Sequence, residues 1–230
     1  MFIVDKKIPD DAKKRLRDFG DVIELETSGI TYDAISGHPD IFFCQIPAGL
    51  VVAPGVHDKI LYTLKSQNVA IIPGTEMPGA AYPKSAIYNA LATDQYLIHN
   101  KSVTDPAVVE ATKGLRSIHV NQAYTRCNLI ALDNLFITSD SGVHYQLIKE
   151  RLDVHLFKDK AVKLQGFPHG FIGGACGVWK DRFFVCGNLD FFPEGEKLKH
   201  LVISAGYKVT ELYDGPLIDG GGIIVVTSET

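Results

Sequence analysis

Cysteine is scarce in this chain, and its placement excludes more than its number does. The 230 residues include four cysteines, Cys44, Cys127, Cys176 and Cys186, with no CxxC pair among them. That scatter argues against a disulfide or zinc framework and for free thiols in a reducing cytoplasm. No apolar run approaches the ~20 residues that a membrane helix needs. The opening residues, Met1-Phe2-Ile3-Val4-Asp5, lack the basic start and small-residue cleavage site of a secretory signal. Positive charge is also short: 23 Lys and Arg stand against 27 Asp and Glu, which leaves no electrostatic footprint for nucleic acid. No His, Cys or carboxylate spacing reads as a metal site. Gly220-Gly221-Gly222 is followed by neither a helix nor a lysine, so it is not a phosphate loop. Together these absences predict a cytoplasmic protein without a cofactor, whose partner is a small molecule rather than nucleic acid or membrane.

What the chain does have is apolar content, 46% of its residues, enough for a sizeable core. The most informative stretch runs from Tyr124 to Asp140. It predicts a strand over 127–131, a tight turn at Leu132-Asp133-Asn134 and a second strand over 135–138; Asp and Asn tolerate the backbone angles of such a turn. Ser139-Asp140-Ser141-Gly142 then interrupts, and Val143, Leu147 and Ile148 set out one face of a helix. A third strand follows over 154–157. The order is strand, strand, helix, strand, and the rest of the chain repeats it. One repeat has strands over 41–46 and 50–52, a helix over 56–68 and a strand over 69–72. Another has strands over 86–92 and 96–99, a helix begun by Asp105-Pro106 and a strand over 117–120. A further one has strands over 174–178 and 182–186, a helix over 194–205 and a strand over 207–212.

The N-terminal region supplies a strand over 1–4, a helix begun at Pro9-Asp10-Asp11 and a strand over 22–25, without the first strand of the unit. The C-terminal region supplies one unpartnered strand over 219–226. Joined, they make a fifth unit. The turn centres recur every ~40 to 47 residues, a period of propellers and solenoids. A repeat split between the two termini predicts a closed ring, in which neighbouring units bury the faces that one unit cannot bury alone. The expected architecture is therefore α/β: a five-bladed α/β-propeller over residues 1–230 as a single domain, closed by pairing of the N- and C-terminal strands.

A five-bladed ring of this unit resembles the pentein superfamily, which includes arginine and agmatine deiminases, amidinotransferases and dimethylargininases. The ribosome anti-association initiation factor shares that fold without being an enzyme. The stretch Gly220-Gly221-Gly222-Ile223-Ile224-Val225-Val226-Thr227 is similar to the Gly-Gly-Gly-x-His-Cys-x-Thr ending of agmatine deiminases. The motif's His position holds Ile224 and its nucleophilic Cys position holds Val225, so the resemblance implies no covalent chemistry at that place. Gly170-Phe171-Ile172-Gly173-Gly174 also resembles an uncharacterised group of bacterial pentein-like proteins.

The resemblance places a site in the central channel, among the innermost strands and the loops leading into them. Those segments hold His38, Asp40, Asn89, Tyr124, Arg126, Cys127, Asn128, His169, Cys176 and Asp219. Cys127 and Cys176 are the candidate nucleophiles and His169 a candidate partner, because a thiolate forms only with help from a cation or histidine. Arg126 adjoins Cys127, although alternation along a strand would point the two apart. Asp40 and Asp219, with Asn89, Tyr124, Arg126 and Asn128, are candidate ligand-binding groups: carboxylates hold a guanidinium or amine by charge-assisted hydrogen bonds. The same aspartates would serve equally to close the ring. Three function classes follow: a binder of a guanidino- or amine-like molecule, a thiol-dependent hydrolase or amidinotransferase-like enzyme using Cys127 or Cys176, and a non-catalytic ribosome- or protein-associated factor. Net acidity argues against the last, since phosphate contact favours a basic surface.

Overall fold

The computed structural model of the chain describes residues 1–158 and 160–227. Five separate three-stranded sheets account for its strands, and each has the same construction. An inner strand pairs antiparallel with a middle strand, a helix crosses over, and an outer strand pairs parallel with the middle one. The second blade shows the pattern: β3 (Phe43–Ile46) pairs with β4 (Gly49–Val52), and β4 pairs in parallel with β5 (Ile71–Pro73) after α3 (Asp58–Ser66). The third blade is β6 (Leu91–Ala92), β7 (Tyr96–His99), α4 (Pro106–Ala111) and β8 (Arg116–His119). The fourth is β9 (Leu129–Leu132), β10 (Leu135–Thr138), α6 (Ser141–Lys149) and β11 (Asp153–Leu156). The fifth is β12 (Cys176–Trp179), β13 (Arg182–Val185), α7 (Gly195–Ser204) and β14 (Lys208–Glu211).

The remaining blade is built from both ends of the chain. β1 (Phe2–Asp5) pairs in parallel with β2 (Val22–Leu25) across α1 (Asp10–Arg17), and antiparallel with β15 (Ile224–Val225), Phe2 opposite Val225 and Ile3 opposite Ile224. The hairpin turns use the residues that tight turns require. Asp133 and Lys180 sit at φ of 50° and 54° in two of them. Asp105 and Asp140 cap α4 and α6 by accepting backbone N–H groups of the first turn, Asp105 as its place before Pro106 predicts.

Each apolar cluster packs a blade's helix on its sheet and also runs across to the neighbouring blade. One joins Ile3 and Leu25 of the first blade to Phe43 and Val51 of the second and Tyr88 and Leu97 of the third. Another joins Ile98 to Phe136 across the third and fourth blades. A third joins Ile137 to Phe183 across the fourth and fifth. The last joins Phe184 and Cys186 of the fifth back to Phe2, Val4 and Val225 of the first. The ring is thereby closed by side-chain packing as well as by strand pairing. Residues of all five inner strands surround one cavity of about 230 Å³ at the hairpin end of the channel.

The structure corrects the sequence reading at one recurrent place. Each inner strand starts two to five residues later than expected. Helical turns occupy those lead-ins: α2 (Pro39–Phe42), Lys84–Ala86, α5 (Thr125–Asn128) and Gly173–Ala175. The last strand is likewise only Ile224–Val225. Ile148, expected on the buried face of α6, is half exposed, whereas Val143 and Leu147 are buried.

Candidate functional site

The helical turns matter because they point polar side chains inward at the end of the channel opposite the hairpins. Asp40 comes from α2, Asn89 follows the turn before β6, Cys127 comes from α5, and Asp219 precedes the glycines before β15. Three of these meet. The Cys127 thiol donates to Asp40 Oδ2 at 2.7 Å. Asn89 Nδ2 lies 3.4 Å from the same sulfur, and Asn89 Oδ1 accepts the Cys127 backbone N–H at 3.2 Å. His38 completes the group: one of its ring nitrogens, a carboxylate oxygen of Asp40 and Cys127 Sγ all lie within 4.8 Å of one another. The His38 ring is flanked on both sides by carboxylates, Nε2 lying 3.9 Å from Asp5 Oδ2 and Nδ1 3.8 Å from Asp219 Oδ1.

Asp219 is held by the backbone. It accepts Phe171 N–H at 2.9 Å and Gly221 N–H at 3.0 Å. Asp40 differs in that its Oδ1 is buried with no hydrogen-bond partner. His38, Asp40, Cys127 and Asp219 are all at most 4% exposed. Burial raises Asp40 to about 7 and Asp219 to about 6, and lowers His38 to about 3, so the imidazole is neutral. Burial, reinforced by the neighbouring Asp40, pushes the Cys127 thiol well above its ordinary value. The cation whose field reaches both Asp40 and Asp219 is Arg126, but its guanidinium is committed elsewhere. It donates to the carbonyls of Gly173 at 2.8 Å and Cys176 at 3.2 Å, packed where a side chain on Gly222 would have to sit. The centre is therefore rich in carboxylate and short of free positive charge.

Above the cluster lies a cavity of about 20 Å³, room for one water-sized molecule, lined in part by Tyr32, Tyr124, Cys127, Phe171 and Asp219. Tyr124 hydroxyl bonds to Ser85 Oγ at 2.6 Å and Tyr32 hydroxyl at 3.2 Å. A wider cleft of about 880 Å³ adjoins it. Asp5, His38 and Asp219 line its buried end, and Lys7, Lys160, Lys163 and Phe167 line its exposed walls.

The other expected site residues fall outside the cluster. Cys176 is buried in the apolar cluster between the fourth and fifth blades, and burial raises its thiol pKa. Among the described residues no hydrogen bond joins it to His169, whose ring lies edge-on to Phe171 with Nδ1 against the Gly170 carbonyl. The Cys176–His169 pairing is thus not formed, because the turn at 173–175 carries the thiol into the core. Asn128 braces the turn, donating to the Tyr124 carbonyl at 2.9 Å and accepting from Ser139. Arg126 and Cys127 do point to different partners, on a helical turn rather than an alternating strand. The glycines at 173 and 174 fit close approaches to the α5 backbone and the Asp219 carboxylate. Val225 packs with Phe2 and Phe184, so a thiol at that position would face hydrocarbon. Sequence reasoning missed Asp5, which reads as a strand-end residue, and Tyr32, which lies in a stretch without periodicity.

A family model described as a family of unknown function (DUF6873) matches residues 3–224. No curated protein matches the chain. Among solved structures, the chain is similar to SxtG, an amidinotransferase from Microseira wollei in the saxitoxin biosynthetic pathway, with a TM-score of 0.55 at 11% identity, covering 91% of this chain and 87% of that one. It is similar also to a mutant of DDAH from Pseudomonas aeruginosa complexed with citrulline, with a TM-score of 0.56 at 9% identity, covering 91% and 90%. These likenesses show that the chain shares the fold of those two proteins.

Proposed function

The chain belongs to DUF6873, a family of unknown function, and for this member we propose binding of a small cation with a guanidino or amine head at the buried centre of the channel. The observation that carries the reading is Asp40, fully buried with Oδ1 unpartnered, in a cluster that also holds Asp219 and Asp5 around a neutral His38. Buried carboxylates without a cation are costly, and a guanidinium or ammonium donating into them offsets that cost. Tyr32, Tyr124 and Phe171 add aromatic surface beside the carboxylates, which favours a cationic guest. The cavity holds only a water-sized molecule, so the head group enters from the wide cleft by displacing Leu164, which borders both spaces. One of the two similar folds is named as an amidinotransferase, which supports the choice of a guanidino head group.

Thermal unfolding with agmatine, arginine and the uncharged citrulline tests the reading. A ligand at 100 times its Kd adds about 2.7 kcal/mol, which for a chain of this size raises Tm by about 5–10 °C. The two cations should produce that shift, citrulline should not, and Asp40→Asn should abolish it. Absence of a shift with every guanidino and amine compound tried would sink the reading.

A second reading rests on the 2.7 Å contact between Cys127 and Asp40. A cation seated beside that pair favours the thiolate, so the guest itself would activate Cys127 as a nucleophile. A cationic haloacetamidine should then alkylate Cys127 far faster than neutral iodoacetamide does, read by peptide mass spectrometry. Equal slow labelling by both reagents would leave the protein a binder.

A further inference from the structure

The donor set at the channel centre has a use that the cation-binding reading does not cover. His38 and Asp40 stand two residues apart at the start of α2 and Cys127 lies 87 residues beyond Asp40, yet a ring nitrogen, a carboxylate oxygen and a sulfur converge within 4.8 Å of one another. We propose that these three side chains bind one divalent transition-metal ion, with zinc the best match to a mixed nitrogen, oxygen and sulfur set.

Four observations bear on the fit. Imidazole, carboxylate and thiolate are together the ligands zinc prefers, and hard ions such as magnesium would not select the sulfur. Asp40 Oδ1 is buried and unpartnered, so a lone pair is free for the metal; the one hydrogen bond given up is that of the Cys127 thiol to Oδ2, whose proton is released to solvent as the thiolate coordinates. The imidazole is oriented whichever nitrogen coordinates: Asp5 Oδ2 lies 3.9 Å from Nε2 and Asp219 Oδ1 lies 3.8 Å from Nδ1, so the remaining N–H faces a carboxylate. Both contacts are longer than a hydrogen bond, and closing either on coordination would supply the outer-shell partner that metal-bound histidines have almost without exception. Asn89 Nδ2, 3.4 Å from the sulfur, supports the third ligand in the same way.

The fourth position is also provided for. The cavity that His38 and Cys127 line holds about 20 Å³, the room of one water. Three protein ligands with an open position is the pattern of exchangeable zinc sites rather than of structural ones. One adjustment is needed. Cys127 Sγ and Asp40 Oδ2 stand 2.7 Å apart, whereas sulfur and oxygen ligands of a tetrahedral zinc are about 3.5 Å apart. Coordination therefore requires the carboxylate to turn, so that its metal-binding oxygen stands at that separation from the sulfur. Zinc and a guanidinium head would occupy the same negative centre, so each excludes the other.

The test uses the full chain after treatment with a chelator. Cobalt(II) titrated into it should produce a saturable thiolate-to-metal charge-transfer absorption at one equivalent per chain. The band should vanish in Cys127→Ser, persist in Cys176→Ser, and require at least about tenfold more cobalt in His38→Gln. Lack of a saturable band, or a band that survives in Cys127→Ser, overturns the proposal. A measurement on the unaltered protein guards against a variant that does not fold. One equivalent of zinc should protect Cys127 from slow alkylation while leaving Cys176 unchanged, and unaltered labelling of Cys127 at saturating zinc equally overturns it. Agmatine binding to the chelated, metal-free protein is scored separately and decides the cation-binding reading alone.

Discussion

Gly174 carries no side chain because Asp219 occupies the space: a Cβ there would overlap the Asp219 carboxylate, and one on Gly170 would overlap its Cβ. Two glycines thus make the niche in which the best-anchored carboxylate of the site sits. Gly174→Ala should cost about 1–3 kcal/mol by overpacking, and it should weaken agmatine binding because the carboxylate must move. Gly114→Ala, with nothing within 4 Å, is the control and should stay within about 0.5 kcal/mol of wild type. Urea unfolding of both variants checks the pair, and equal effects would mean that the niche is looser than it looks. His99 supplies a second residue-scale expectation. It is buried and neutral between Thr104 and the Ala123 carbonyl, both at 2.8 Å, and burial lowers its pKa from its usual 6.5 to about 4. Below pH 6.5 the unfolded chain takes up a proton that the folded chain refuses until about pH 4. This group's contribution therefore falls as pH drops through that window and is constant above it. The full effect is on the order of 3 kcal/mol. Asp40 and Asp219, with raised pKa values, act in the opposite sense over acidic pH, so the difference between wild type and His99→Gln is the quantity to follow. From near neutrality to mild acid that difference should shift in favour of the variant; a difference independent of pH would show that His99 titrates normally.

At the scale of elements, the strands and outer helices were legible and the lead-ins to the inner strands were not. Alternation and turn residues placed β10 and β13 within a residue of where they lie, and Asp105-Pro106 placed the start of α4. The lead-ins failed because Ile41-Phe42 continues the apolar run of the strand behind it and Cys127 adjoins another, and a run of that length carries no period that separates a helical turn from a strand. The candidate site suffered for the same reason. A strand through Cys127 would alternate Arg126 and Asn128 to one face, whereas the helical turn sends Cys127 to Asp40, Arg126 to Gly173 and Asn128 to the Tyr124 carbonyl. Asp40, Asn89, Cys127 and Asp219 were identifiable as polar residues of the channel, but their pairing depends on contacts 38 to 87 residues apart. The caps show how much a single legible residue can do. The buried Asp105 carboxylate accepts from Thr75 N, Glu76 N, Ala107 N and the Tyr88 hydroxyl, so it ties α4 to the loop after β5. Asp105→Ala should cost the cap, about 0.5–2 kcal/mol, plus about 1–3 kcal/mol for the buried donors left behind. Asp140→Ala removes a less buried cap that serves Gly142 N and Val143 N, and should cost only about 1 kcal/mol. Chemical denaturation that ranks the two equally would refute the distinction.

For the whole molecule, the split blade was the feature that gave the ring away, and β1 paired to β15 confirms that closure. What no pattern in the sequence revealed is where the core lies. Its apolar clusters run from the helix and sheet of one blade into the next, so a blade loses part of its core when a neighbour leaves. Cooperative unfolding follows from that arrangement, and the interface between the fifth and first blades is the place to test it. Phe184 is buried there edge-on to Phe2, and Trp179, the chain's single tryptophan, also lies edge-on to Phe2. Phe184→Ala leaves a cavity at the seam where the two ends of the chain meet and should cost about 3–5 kcal/mol. If the ring unfolds as one unit, Trp179 fluorescence, which reports this seam, and far-ultraviolet circular dichroism, which reports all five blades, should follow a single urea transition in wild type and variant alike, displaced but still superimposed. A fluorescence transition that runs ahead of the dichroism in the variant would show that the seam opens by itself. The channel centre, bordered by both terminal segments through Asp5 and Asp219, would then be the first part of the molecule to lose its geometry.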